Sequence, residues 1–233
     1  MAELAELAGL LGLLRLTDSG LPVGGYTLSH GLESYATAGL IATTTDLEAL
    51  LVTYLGDALG PTDGVACAAA WTAADAGDLA TVAAIDGHLH ALKVAREARE
   101  GATRGGRRLL ALAPAWTAPP TLMAYRDWVR ARRAPGCYAV AFGLAAAALG
   151  APRSASVLGY LHAALLGLLV AAQRLTALDH EQAQAIVHRL GPVVTAVAEA
   201  ALAGDWRQMA SGAPEIEIMA MRHERAFVRL FAS

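Results

Sequence analysis

The chain has 233 residues, of which 55% are hydrophobic and 17% charged, with a net charge of −3 and a mean hydropathy of +0.42. That composition excludes a disordered chain, and the negative balance offers no general attraction to nucleic acid. It holds more apolar surface than one globule of this size ordinarily buries, which leaves a membrane or other protein subunits as the outlet.

The predicted elements are helices from end to end. Leu4, Leu7, Leu10, Leu11 and Leu14 mark the first. Leu21-Pro22-Val23-Gly24-Gly25-Tyr26 then reads as a turn whose adjacent glycines permit backbone angles closed to other residues. A helix beginning near Tyr26 places His30 and Glu33 on one polar face, with Leu28, Leu32 and Tyr35 opposite. Thr45 and Glu48 read as a capping box ahead of a stripe running from Leu47 to Leu59. Helical patterns follow over 63–76, 78–100, 104–112, 121–133, 137–149, 154–177, 180–202 and 215–231. Gly60-Pro61, Pro119-Pro120, Pro135-Gly136, Gly150-Ala151-Pro152 and Gly212-Ala213-Pro214 punctuate them, and Pro192 is predicted to kink its helix. With no alternating strand, fixed repeat or linker, residues 1–233 read as a single all-α domain, a multi-helix bundle of about eight to ten helices.

Residues 154–173 are long enough to span a bilayer, but Ser154, Ser156, Tyr160 and His162 interrupt them. Glu3 and Glu6 stand where a signal peptide is positive, so a cytoplasmic protein without a membrane span is expected.

Chemistry-bearing patterns are sparse. Cys67 and Cys137 are far apart and form no CxxC. Lys93 is the only lysine, and no phosphate-binding loop of the Walker type exists. His88 and His90 point apart on a helix, His162 reads as a core residue, and His180 and His188 lie about two turns apart, so no compact metal shell is expected. No nucleophile or metalloprotease motif is present, and no catalytic residue is expected. Between Arg96 and Leu110, five arginines and two acids surround three glycines. This run reads either as an anion- or partner-binding surface centred on Arg104, Arg107 and Arg108, or as a solvated helix with a flexible break. In the tail, Ile216, Met219, His223, Phe227 and Leu230 form one helical stripe. Arg222, Arg225 and Arg229 lack an acid three or four positions away, so their partners are expected on another subunit or a distant helix.

Leu14–Glu33 resembles the N-terminal signature of the urease accessory protein UreF family. The resemblance continues through the Arg/Glu-rich stretch at 96–110, Tyr138–Gly143 and Tyr160–Leu165, and closes with His223-Glu224, Arg229-Leu230-Phe231 and Ser233. Departures from the family pattern fall at 179–183, Tyr26, Thr27-Leu28, Phe227 and Val228. The resemblance implies an all-α, homodimeric, non-catalytic chaperone. Such a protein bridges a UreD/UreH-like scaffold and a UreG-like GTPase for nickel insertion into apo-urease, with GTP hydrolysis driving release. No tightly bound cofactor is implied, and nickel passes through the partner complex. Carried over residue by residue, the partner-binding positions are Pro22, Gly24, Gly25, His30, Gly31 and Glu33 in the first motif. In the tail they are His223, Glu224, Arg229, Leu230 and Phe231, joined by Arg222, Arg225 and Phe227. Phe227, Leu230 and Phe231 are the expected apolar anchors. The alternative is a small all-α enzyme holding an anionic substrate at the Arg96–Arg108 cluster, which a substrate-sized polar pocket there would favour. A helical nucleic-acid regulator lacks a recognisable motif and has the wrong charge.

Overall fold

The computed structural model describes residues 2–25 and 28–232. Among these, every regular element is helical. The α-helices are α1 (Ala2–Thr17), α2 (Leu32–Thr37), α3 (Thr44–Thr53), α4 (Val65–Asp75), α5 (Leu79–Leu92), α6 (Arg96–Leu112), α7 (Pro120–Arg130), α8 (Tyr138–Ala148), α9 (Arg153–Leu175), α10 (His180–Ala203) and α11 (Pro214–His223). The all-α expectation holds. Helices α9 and α10 are long and apolar enough to cross a bilayer by length and composition, and half of the most apolar stretch of α9 is buried inside the protein.

The break expected at Gly60-Pro61 does not occur. A π-helical segment, Tyr54–Gly64, carries the chain from α3 straight into α4 with Pro61 inside it. Pro61 has no N–H to give to the helical ladder, and nearby the Gly212 N–H donates to the Asp57 carbonyl at 2.7 Å. The capping box ahead of α3 is formed by Thr43 and Asp46, two residues earlier than the sequence suggested. Pro192 lies inside α10, as expected.

The core is small-residue packing around a few large rings. Helix α4 lies along α8, and α9 packs on both α8 and α10. Phe142 meets Tyr138 and Tyr160 edge-on, and those two rings are tilted against each other, all at 5.4–6.1 Å between ring centres. Arg153 ties two helices by donating to the carbonyls of Ala68 and Leu202 at 3.2 and 3.0 Å. Buried Asp86 accepts bonds from the Tyr125 hydroxyl and from the N–H groups of Gly136 and Cys137, at 2.7–2.8 Å, and so seats the turn that starts α8.

The leucine stripe of α1 faces outward: Leu4, Leu7, Leu10, Leu11 and Leu14 are 47–68% exposed, while Leu13 and Leu16 are buried. The inward face is led by Gly9, where a Cβ would strike the carbonyl of Gly150, so the absence of side chains there draws α1 against the α8–α9 turn. His162 is exposed rather than part of the core.

The flexible break expected in the arginine run is likewise absent. The chain breaks instead at Lys93–Ala95, and α6 runs unbroken through Gly101, Gly105 and Gly106. These glycines are contact points. A Cβ on Gly106 would drive into the Gly136 carbonyl and the backbone of Cys137 and Tyr138, whereas one on exposed Gly87 of α5 meets nothing within 4 Å. Gly106→Ala is therefore expected to cost about 3 kcal/mol, a fall in Tm of roughly 6–12 °C. Gly87→Ala is expected to stabilise by up to about 1 kcal/mol. Thermal unfolding followed by circular dichroism checks the pair, and equal effects would contradict this packing account.

Candidate functional site

The N-terminal motif, the arginine helix and the tail meet at one buried point. Glu33 sits near the start of α2, whose N-cap Gly31 adopts a left-handed φ of 88°. Glu97 sits in the first turn of α6, and His223 ends α11. His223 is buried with one carboxylate on each side: Nδ1 lies 2.7 Å from Glu97 Oε2 and Nε2 lies 2.9 Å from Glu33 Oε2. An imidazolium is the form that donates to both ionised carboxylates. Arg229 Nη1 donates to the other Glu97 oxygen at 2.6 Å, so both carboxylates, the imidazole and the guanidinium share one hydrogen-bonded cluster.

Glu33 also holds the tail's backbone. Its Oε1 accepts the Leu230 N–H at 2.7 Å and its Oε2 accepts the Phe231 N–H at 3.1 Å. Burial works against ionisation of this carboxyl. The bonds from Leu230, His223 and Phe231 outweigh it and hold Glu33 below the usual glutamate range.

This clamp explains why the predicted tail helix 215–231 is wrong. Helix α11 ends at His223, and the chain turns so that its later N–H groups reach Glu33 instead of a fourth-previous carbonyl. The stripe survives only for Ile216, Met219 and His223. Phe227 and Val228 stand fully in solvent, with Leu230 half-exposed. Phe231 is turned inward at 6% exposure, with the Arg174 guanidinium 4.9 Å from its ring centre. Phe231 thus anchors the tail to its own chain, and of the three expected apolar anchors only Phe227 and Leu230 face outward.

The remaining sequence-predicted residues divide around this point. Glu224 accepts the Arg96 N–H at 2.8 Å, capping the start of α6. Arg222 reaches Met219 Sδ at 3.7 Å, and Arg225 is exposed without a carboxylate partner among the described residues. Arg229 alone of the three finds its acid, on a distant helix of the same chain. Pro22 accepts a bond from Arg108 Nε, Gly24 adopts a φ of 87°, and Gly25 is exposed. The expected helix start near Tyr26 lies outside the described residues, and α2 begins only at Leu32. His30 and Glu33 therefore do not share a solvated helical face: Glu33 turns into the clamp, and His30 faces a cavity.

That cavity, of about 270 Å³, has His30, Asp63, Lys93, Tyr160 and Glu217 among its polar lining residues, beside many apolar side chains. Lys93 bonds Asp63 at 2.9 Å, and Tyr160 and Thr62 also donate to Asp63. Burial opposes both charges, yet the pairing keeps Asp63 below and Lys93 above their ordinary values. His30, at φ 54°, gives its carbonyl to the Tyr54 hydroxyl at 2.7 Å. Desolvation by its neighbours and then the Lys93 charge push its imidazole down to about 4, although the residue keeps exposed surface at the mouth of the cavity. No three His, Cys, Asp or Glu side chains among the described residues converge as a metal shell requires. Around Arg104, Arg107 and Arg108 lies an open groove bounded by Pro22, Val23 and Gly24, not an enclosed polar pocket.

Three residues escaped the sequence reading. Glu97 was hidden inside a charged run, although it shares its helical row with Gly101, Gly105 and Leu109, all buried. The Asp63–Lys93 pair, 30 residues apart across two helices, carries no local signal beyond Lys93 being the sole lysine.

The sequence profile of the UreF family matches residues 41–191. The urease accessory protein UreF of Paenarthrobacter aurescens is 34% identical, covering 96% of this chain and 97% of its own. The UreF proteins of Lachnoclostridium phytofermentans and Haemophilus influenzae are 33% and 30% identical, covering 96% and 98% of this chain and 98% and 97% of theirs.

Two outcomes follow for the clamp. A carboxyl whose pKa is lowered on folding contributes stability that is full above its unfolded value and lost as pH falls through the folded one. Amide exchange at Leu230 and Phe231, normalised to intrinsic rates, should stay slow down to about pH 4.3 and collapse only below it. Persistent protection far below the carboxylate range would remove Glu33 from this role. Glu97→Ala leaves His223 and Arg229 without a shared carboxylate and should speed the same exchange by about 100-fold, corresponding to about 3 kcal/mol.

Proposed function

The chain belongs to the UreF family of urease accessory proteins, and from that premise we propose that it is a non-catalytic assembly chaperone. It bridges a UreD/UreH-like scaffold and a UreG-like GTPase so that nickel, as cargo, reaches apo-urease. It works as a homodimer of a single all-α domain in the cytoplasm and holds no tightly bound cofactor of its own.

The observation that carries this reading is the clamp. Glu33 and Glu97 order the last turn of the chain against the N-terminal motif, and the ordered tail holds Phe227 and Val228 outward with no intramolecular use for them. Large apolar side chains held in water on a fixed backbone are what a partner's pocket buries. The outward leucines of α1 add apolar surface that a solitary monomer gains nothing by exposing. The open groove at Arg104, Arg107 and Arg108 supports the anionic-substrate enzyme less well, since it encloses no reaction volume.

Truncation from Arg222 is a poor test, because it would strand Glu33 and Glu97 without His223. Phe227→Asp together with Val228→Asp leaves the clamp intact. Wild type, mixed with UreD-like and UreG-like proteins and followed by size-exclusion chromatography with light scattering, should co-elute as a defined complex and show a dimer mass alone. The double variant should keep its helical spectrum and lose the scaffold-bound peak. Unchanged co-elution of the variant would exclude the outward tail as the contact. A wild-type monomer that ignores both partners would overturn the chaperone reading.

A further inference from the structure

The strongest charge asymmetry in the molecule lies away from the clamp. Arg104, Arg107 and Arg108 project from one face of α6, at spacings of three and four residues. Arg107 Nε donates to the Pro135 carbonyl at 3.3 Å, which brings the turn following α7 against this face. Arg132 is three residues from Pro135 and therefore within about 11 Å of it along the chain. Arg133 lies on the Trp128 ring at 4.3 Å. On the other flank, Arg108 Nε donates to the Pro22 carbonyl. Arg104, Arg107 and Arg108 line an open groove of about 730 Å³, with Glu100 the one acid among its described lining residues.

All five arginines are exposed, and none has a carboxylate within ion-pair distance among the described residues. Elsewhere Arg96, Arg126, Arg189, Arg207 and Arg229 have such partners, and the arginines without one, such as Arg222 and Arg225, are not gathered around a groove. Like charges at these helical spacings weaken α6. The chain is net −3, so the positive face stands out against an otherwise acidic molecule.

We propose that this face is a docking site for an acidic, Asp/Glu-rich protein surface. Three features select that partner. Arginine forks match carboxylates bidentately and are enriched at protein interfaces. Val23, Pro22 and Ala111 supply apolar contacts beside them. No aromatic side chain among the described residues lines the groove for base stacking, and the Trp128 ring already carries Arg133, which disfavours single-stranded nucleic acid. The inference does not depend on the bridging reading, because its probe involves none of the family's partners and either can fail alone.

The test is fluorescence anisotropy of the intact protein with a labelled twelve-residue peptide alternating Glu and Asp with Gly, at low salt. A labelled oligothymidylate of equal charge serves as the competing class. Wild type should bind the peptide more tightly than the oligonucleotide, and the affinity should fall steadily with added salt. Arg104→Glu with Arg108→Glu should weaken peptide binding at least about 10-fold. The neutralising pair Arg104→Gln and Arg108→Gln should give a smaller loss in the same direction, and it decides the matter if the charge swap unfolds α6. Arg207→Glu, on a distant surface, should stay within about twofold of wild type. No peptide binding by wild type, equal binding by the groove variants, or tighter binding of the oligonucleotide would each overturn the proposal.

Discussion

The tail of this protein is held by an imidazole between two carboxylates. Burying Glu33 and Glu97 without compensation would cost several kcal/mol each, so His223 and Arg229 are required where they stand. That requirement brings together segments 126 and 190 residues apart. It sets where α11 ends, which way the chain turns, and which tail side chains face water. Phe231 is drawn inward because its own N–H is bonded to Glu33, and Phe227 and Val228 are left outside by the same turn.

The rest of the molecule supplies a scaffold stiff enough for this clamp to have one geometry. Short side chains allow close helix contact, and the few buried polar groups among the described residues are nearly all used: Asp86 at the α8 start, Asp63 with Lys93, and Arg153 on two carbonyls. The exception is the Tyr35 hydroxyl, which is buried without a partner. A chain so rich in alanine and glycine gains little per side chain from burial, and it relies on tight backbone approach and on satisfied polar groups instead.

The surface falls into distinct regions. An outward leucine stripe lies on α1, outward apolar side chains lie in the tail, and unpaired arginines line α6. Each is a poor arrangement for an isolated protein and a usable one for an assembly, which fits membership in a family of accessory proteins. The departure from the family pattern at 179–183 has a local use: Asp179 caps α10, and Gln182 completes the box.

Helix content, most helix positions and the family were legible in the residues alone, because hydrophobic period, proline position and short motifs are properties of neighbours along the chain. Glu33, His223 and Arg229 could be singled out by the same means. Their joint role could not, because ion pairing depends on distance in space, and nothing local says that Glu97 rather than solvent receives Arg229. Tertiary contact also decided which face of α1 is buried, since a glycine stripe that admits another backbone outcompeted a leucine stripe that periodicity alone would have turned inward. It decided that Pro61 continues a helix, in a π-helical segment that Gly212, about 150 positions away, joins by donating its N–H to the Asp57 carbonyl.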